Sequence, residues 1–212
     1  AKKVSETQKV VLSGQGADEL FGGYFWYNKM VSNEANDIDV FTNNYIDRSF
    51  SDYQMMINKK YANKDHTNRL INNWFSEYQK EDMSFLDTVL RIDVSNLIVD
   101  DPVKRVDSMT MAWALETRVP FLDKDLVEFL LTIPSKMKIE SNGKYFLKKI
   151  SSKYLPNDII ERKKFYFPVP PLKVLKGKFL DFVSETLLSS ECYSRGIFNH
   201  KRIKELLNEP NN

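Results

Sequence analysis

The stretch Val11-Leu12-Ser13-Gly14-Gln15-Gly16-Ala17-Asp18-Glu19-Leu20-Phe21-Gly22-Gly23-Tyr24 holds the residue types best suited to chemistry on an anion. Lys9-Val10-Val11-Leu12 reads as a short, doubly buried strand. It ends in Ser-Gly-x-Gly, and a helix starts at once. In parallel α/β proteins, ligands bind at the carboxyl ends of the strands. Glycines there let backbone N–H groups converge on an anion, and the dipole of the following helix adds a favourable field. Ser13 can donate its hydroxyl to a phosphate. Asp18 would repel that phosphate unless a cation lay between them, which points to Mg²⁺ bridging carboxylate and phosphate oxygens. No Gly-Lys-Ser/Thr ending follows, so this is not a P-loop. The same residues also fit a plain strand–helix turn with capping groups, and both readings stand at this level.

The elements that must position these residues are almost all helical. A helix is expected from Ala17 to about Met30, with Asp18 and Glu19 in its first turn. Ile71, Trp74, Phe75 and Tyr78 fall at i, i+3, i+4 and i+7, one apolar stripe on a helix over 65–80. Ser84 opens another, with Phe85, Leu86, Val89, Leu90 and Leu97 on its buried face. Asp101 before Pro102 predicts an N-cap and a first-turn proline for a helix running to about Leu115. Pro120 favours extended chain over 118–122. Asp123 caps a helix that buries Leu126, Phe129 and Leu130 and ends before Pro134. Gly143 precedes a helix over about 144–155. Phe167 to Pro171 reads as a rigid loop, and helices near 178–190 and 199–208 follow.

The expected fold is therefore mainly α with a short N-terminal strand. One strand cannot make a sheet. Residues 1–212 are expected to be a single-domain portion of a truncated α/β domain, with strand 9–12 at a sheet edge and its few strands near the N-terminus. An upstream part of the same chain would supply the others. A short edge piece in an all-α domain is the alternative.

Composition bounds the rest. The 212 residues are 42% hydrophobic and 13% aromatic, enough for a core, and the net charge is only +2. That balance argues against a dedicated nucleic-acid binder. The single Cys192, with only His66 and His200, excludes a disulfide framework and a Cys/His zinc cluster. No apolar stretch reaches the roughly 20 residues that span a bilayer, and residues 1–9 carry no secretory h-region. A cytoplasmic location is expected, with no membrane and no nucleic acid as partner.

The glycine segment, Ser13 to Tyr24, closely resembles the pyrophosphate-loop segment of glutamine-dependent asparagine synthetases. The resemblance continues through Val106-Asp107-Ser108-Met109-Thr110-Met111-Ala112 and Leu115-Glu116-Thr117-Arg118-Val119-Pro120-Phe121-Leu122-Asp123. It resumes at Gly143-Lys144-Tyr145-Phe146-Leu147-Lys148-Lys149 and Leu155-Pro156. It covers roughly residues 8–175 and implies the C-terminal helical part of an α/β ATP-pyrophosphatase (adenine nucleotide α-hydrolase-like) domain. In that family ATP activates a carboxylate, usually that of the aspartate side chain, to an acyl-adenylate with release of pyrophosphate. Ammonia drawn from glutamine by a separate N-terminal domain then displaces AMP. ATP and Mg²⁺ are the implied cofactors.

By that resemblance, Ser13 and Gly14 contact the AMP part of the nucleotide, with Gly16 in the same cofactor-binding loop. Asp18 is a Mg²⁺ ligand. Lys144 stabilises the pentacoordinate phosphorus and then the tetrahedral carbon. Many asparagine synthetases carry Glu where this chain has Gln15, at a position tied to forming the adenylate. Gln15 can hydrogen-bond but cannot act as a base. The substrate carboxylate is already ionised at pH 7, so the departure bears on which carboxylate is used rather than on adenylation itself. Phe165 to Pro171, Asp100 to Asp107 and Phe25-Trp26-Tyr27 are similar to the N-acetylglutaminylglutamine amide synthetases, which amidate a small peptide carboxylate instead.

No Ser-Gly-Gly-x-Asp-Ser/Thr loop and no N-terminal cysteine nucleophile lie within these residues. The expected partners are therefore an upstream glutaminase domain and pyrophosphatase loop, a small carboxylate substrate and ammonia; a homodimer is kept open. These residues alone are expected to be inactive. A non-catalytic helical interaction module is the alternative from another class. Glu116 and Arg118 either shape a substrate-carboxylate pocket or form a buried ion pair or cap, the reading preferred here. Asp107 has the same two readings. Asp101 and Asp123 are assigned to capping, and Asp100 to the surface. Trp74, Trp113, Met109 and Met111 are read as core, His66 and His200 as exposed, and Cys192 as a small buried filler. The ten Lys and Arg between 142 and 178, against Asp158 and Glu161, make a basic stretch read as a solvated face or a field for ATP.

Overall fold

Val10–Leu12 forms a strand, β1, and it pairs in parallel with a second strand from mid-chain. In the computed structural model, which describes residues 1–31, 38–162 and 175–210, β2 is Glu116–Arg118. The register is Val10↔Glu116, Val11↔Thr117 and Leu12↔Arg118. The strands are thus not gathered near the N-terminus as expected. Glu-Thr-Arg carries no apolar alternation, so β2 leaves no pattern in the sequence. The extended piece also lies earlier than the 118–122 stretch expected from Pro120: it ends at Arg118, and Pro120–Leu122 forms a 3-10 turn with the proline in its first position. Nor is β1 doubly buried: Val10 and Leu12 are 41% and 70% exposed, and Val11 is half-buried.

Two compact units are present, Ala1–Tyr45 with Ile71–Arg162, and Ile46–Leu70 with Lys163–Asn212. The first carries the sheet and the main core. Ser84 caps the Phe85–Ile92 helix, its side chain accepting the Asp87 N–H at 3.1 Å. Phe85, Leu86, Val89 and Leu90 are buried as the stripe predicts, with Ile92 beside them, whereas Leu97, expected on the same face, is only half-buried. Rings of Phe41, Phe75 and Phe85 extend this core at centroid separations of 5.3 Å.

The chain does not restart at Asp101. Helix continues from Phe85 through two wider π-type segments, Asp93–Leu97 and Val99–Val103, into Lys104–Met111. Pro102 lies inside it. A wider turn accommodates the missing N–H that would break a regular helix. Asp101 is therefore not an N-cap; it pairs with Arg105 at 2.5 Å on the surface. Met109, Met111 and Trp113, expected in the core, are exposed, as is Phe129. Asp123 does cap its helix, Lys124–Leu131, accepting from the N–H groups of Asp125 and Leu126. That helix contributes Leu130 to a small core with Leu20 and Phe21, packed by Phe121, Leu122 and Phe146.

In the second unit a capping box at Ser49 and Asp52 opens Phe50–Met56. Backbone bonds from Asn58 N–H to the Ile197 carbonyl and from Asn199 N–H to the Met56 carbonyl, both 2.8 Å, tie that helix to His200–Asn208. Gly177–Leu187 and Ser190–Ser194 precede it. Cys192 is a buried filler, as expected. His66 is exposed, but His200 is not: its ring stacks on Tyr193 with centroids 3.5 Å apart, and both ring nitrogens are buried. The Phe167–Pro171 stretch lies outside the described residues. Among the described residues no helix is long and apolar enough to cross a membrane.

Two glycines of the loop make a paired test of the fold. Gly16 has φ +92, and a Cβ there would lie 2.5 Å from Leu122 Cδ2. At Gly14 a Cβ meets nothing within 4 Å. Gly16→Ala is expected to lose at least about 1 kcal/mol in urea unfolding, and Gly14→Ala to stay within about 0.5 kcal/mol of the parent.

Candidate active site

The ladder of β1 and β2 delivers the chain to the site. Ser13 N–H extends it by donating to the Arg118 carbonyl at 2.9 Å. Gly14 then faces open space, so the backbone at the strand end is uncovered. Gly16, left-handed, turns the chain into the Ala17–Phe21 helix. That helix does not reach Met30. Gly22 stops it at φ 69, and Gly23 N–H returns to the Asp18 carbonyl at 2.8 Å. A short 3-10 turn, Phe25–Tyr27, and a helical turn, Asn28–Val31, follow. A single helical turn has little dipole to offer, so an anion here depends on backbone N–H groups and on a cation.

Lys144 supplies the cation from a second turn. Gly143, at φ +88, lies so close to the first turn that a Cβ would sit 2.2 Å from the Gly22 carbonyl oxygen. The Lys144 N–H donates to the Phe21 carbonyl at 2.9 Å. Lys144 itself takes φ 56, in the left-handed region, which costs a residue with a Cβ roughly 1–2 kcal/mol. These backbone contacts bring Lys144 Nζ to 3.0 Å from Asp18 Oδ1, with both side chains largely covered. Gly23 lies under the pair: a Cβ there would be 2.1 Å from Asp18 Oδ1 and 2.2 Å from Lys144 Cε. The structure thus brings Asp18 and Lys144 into contact. Ser13, Gly14, the half-buried Gln15 and Gly16 form the turn that leads to them. Lys144 precedes the Tyr145–Ser151 helix, which ends before Leu155.

Glu116 and Arg118 do not form a buried pair. They sit two apart on β2 and bond each other at 2.9 Å on its exposed side. Asp107 is exposed on the Lys104–Met111 helix.

Beneath the site lie groups that the sequence reading passed over. Glu19 is buried, and Tyr24 donates its hydroxyl to Glu19 Oε1 at 2.6 Å. Burial raises the Glu19 carboxyl above its ordinary range, and the Tyr24 bond opposes this. Asp93 is more deeply buried. Burial pushes it up to about 7 against the lowering effect of two tyrosine hydroxyls, Tyr27 and Tyr45. Between the Phe85–Ile92 helix and the helical turn Ser135–Lys138, Lys138 is also buried, and burial lowers its ammonium to about 8. Asp93 did leave a signal: it falls three and four residues after Leu90 and Val89, on an otherwise apolar stripe.

Of the two carboxylates in the loop, Glu19 is buried against the Tyr24 hydroxyl, which leaves Asp18 as the carboxylate placed to ligate a hard cation. Among the described residues no group of three or more His, Cys, Asp or Glu could hold a metal ion. Mg²⁺ seldom needs such a cage; it keeps waters and is held by one or two carboxylates together with substrate phosphates. The donor set therefore fits Mg²⁺ that arrives with a nucleotide.

Residues 1–212 match the asparagine synthase family. The chain is 27% identical over 224 residues to asparagine synthetase [glutamine-hydrolyzing] 1 of Bacillus subtilis, covering 90% of this chain and 35% of that protein. It is 32% identical over 170 residues to a probable asparagine synthetase of Schizosaccharomyces pombe, covering 75% of this chain and 21% of that protein. A putative asparagine synthetase of Methanocaldococcus jannaschii is 33% identical over 150 residues, covering 70% of this chain and 19% of that protein. The chain thus spans about a third or less of the length of these relatives.

Two outcomes follow from this geometry. Gly23→Ala is expected to push Asp18 and Lys144 apart, so its unfolding free energy should lose its dependence on the pair. A double-mutant cycle with Asp18→Asn and Lys144→Met should then give a coupling near zero in the Gly23→Ala background and about 1 kcal/mol in the parent. The second concerns Asp93. Between its ordinary value of 3.8 and about 7, the folded chain holds a proton that the unfolded chain has lost. Stability from this group is therefore lost as pH rises through that window, by up to about 4 kcal/mol. Asp93→Asn should flatten that slope in urea titrations from acid to neutral pH.

Proposed function

The chain belongs to the asparagine synthase family, and from that premise we propose that the protein carrying it makes an amide from a carboxylate, ATP and ammonia. The supporting observation is the Asp18–Lys144 pair, set 3.0 Å apart beside the open backbone at the end of β1. In this reading these residues are the C-terminal portion of an ATP-pyrophosphatase domain. An upstream portion supplies the other half of the phosphate cradle and the glutaminase that yields ammonia. These residues alone are then inactive.

A carboxylate oxygen of the substrate, aspartate in the preferred reading, attacks the α-phosphorus of ATP. The bond from that phosphorus to the oxygen bridging it to the β-phosphate breaks, and pyrophosphate leaves. Ammonia then attacks the acyl carbon, AMP leaves, and one proton is lost. Ser13, through its hydroxyl, and the backbone of Gly14 and Gly16 orient the AMP portion. Gln15 contributes a hydrogen bond and no base. Asp18 would hold Mg²⁺, which when bound neutralises phosphate charge. Lys144 leaves Asp18 to face the α-phosphate, where a compact ammonium stabilises the charge that builds in the transition state more than that of the ground state. A peptide carboxylate is the second reading, favoured by Gln15 standing where glutamate is usual. A module without catalysis is disfavoured, because it would have no use for a left-handed lysine held against Asp18.

Lys144→Ala in the protein carrying this segment should slow ATP–pyrophosphate exchange by about 10²–10³, as loss of one such stabilising group does. Folding and glutaminase activity should survive. Lys148, one turn on, reaches the Ser141 carbonyl at 3.2 Å on the surface, so Lys148→Ala is the control and should change exchange by less than about threefold. Equal, small effects of both substitutions would return Lys144 to a solvated helix-start lysine.

A further inference from the structure

Asp93 is buried with no cation paired to it among the described residues. The hydroxyls of Tyr27 and Tyr45 both donate to the same oxygen, Oδ2, each at 2.5 Å. Oδ1 is buried with no hydrogen-bond partner. A carboxylate with an unused buried acceptor is expensive, and an apolar residue would pack this position more cheaply. What it gains is orientation. Tyr27 comes from the Phe25–Tyr27 turn and Tyr45 from the Ile38–Tyr45 helix, so one oxygen joins three separate segments. From Tyr27 the contacts run on to the site. The Tyr27 and Tyr24 rings are 5.5 Å apart, Tyr24 stacks on Trp26 at 4.4 Å, and its hydroxyl holds Glu19 at 2.6 Å. Glu19 follows Asp18, the partner of Lys144.

We propose that Asp93 is a positioning residue for the Asp18–Lys144 site: when ionised, it draws the Tyr27 and Tyr45 hydroxyls onto one oxygen, fixes the aromatic segment 24–27, and through Tyr24 fixes the Glu19 carboxyl beside Asp18. The role rests on the amide-synthesis reading above, since the site it serves is the one assigned there. Hydrogen bonds to an ionised acceptor are about twice as strong as those to a neutral one. Protonation at the unpartnered Oδ1 leaves Oδ2 a carbonyl oxygen that holds both hydroxyls more weakly. Titratable groups facing Asp93 are Tyr27 and Tyr45 from their two segments, Tyr24 from beside Tyr27, and Glu19 from the Ala17–Phe21 helix. On the same helices, Asp18 is engaged by Lys144, and Arg91 donates to the Leu131 carbonyl. With Asp93 raised to about 7 by burial, the site is held in its tighter form on the alkaline side.

The test is the pH profile of ATP–pyrophosphate exchange in the protein carrying this segment, with Mg-ATP and the carboxylate substrate. The parent rate should rise about tenfold from roughly pH 6 to pH 8. Asp93→Asn should remove that rise and stay near the parent's acid rate. Tyr27→Phe and Tyr45→Phe should each move the rise to higher pH, because each hydroxyl lowers the Asp93 carboxyl. A purely structural role would scale all rates by one factor and leave the profile's shape alone; a rise retained in Asp93→Asn overturns the proposal. The Lys144 amide shift, followed with isotope-labelled lysine, supplies a readout without turnover. It should titrate with the same midpoint in the parent and stay flat in Asp93→Asn. Silent exchange with a titrating Lys144 amide would sink the reaction and keep the positioning role. An amide that does not titrate in the parent, or that titrates alike in Asp93→Asn, would sink the positioning role.

Discussion

Two glycine turns from distant parts of the chain meet backbone against backbone, and the site depends on that approach. Gly143 has no room for a methyl group against the Gly22 carbonyl, and Gly23 has none against Asp18 and Lys144. A Cβ at either position would force the two turns apart. The Lys144 N–H could then no longer reach the Phe21 carbonyl, and a long flexible lysine would be left to find Asp18 unaided. The backbone bond removes most of that search before the side chain contributes anything. The packing of Leu20, Phe21 and Leu130 under the first turn, with Phe146 from the second, gives both turns one apolar floor.

Charge is arranged around this contact in layers. The Asp18–Lys144 pair is at the surface of the site, partly open to solvent. Glu19, one residue on, points inward and is held by the Tyr24 hydroxyl. Asp93 lies deeper still, held by two more tyrosines. Lys144 attracts the Glu19 carboxylate, and Asp93 repels it. Tyrosine hydroxyls take the place of buried cations here. They satisfy one oxygen of each carboxyl without bringing in a second charged group whose desolvation would also have to be offset.

What was legible in the sequence was what neighbours in the sequence decide. Ser84 and Asp123 cap the helices they were expected to cap, because capping bonds reach only two or three residues along the chain. The stripe through Ile71 and Phe75 and the one through Phe85 to Leu90 were equally readable. The site itself was legible only as a resemblance, since no local rule joins Lys144 to Asp18. The failures are of two kinds. Asp101-Pro102 and the Ala17–Met30 helix were misread because local rules met an unusual backbone, a widened helix in one case and a double glycine stop in the other. Met109, Met111, Trp113 and Phe129 were misread because apolar character does not reveal which face of an element is covered. Asp93 was missed although its place on an apolar stripe was visible.

Lys144 carries one further consequence. Its backbone sits where glycine is at ease and a side chain with a Cβ is not. Selection for folding alone would drift this position toward glycine or asparagine, gaining stability with every step away from lysine. Selection for a fixed positive charge pushes the other way. A library screened only for expression or heat resistance should therefore erode position 144 first among the loop residues, and its best-behaved members would be its least capable ones.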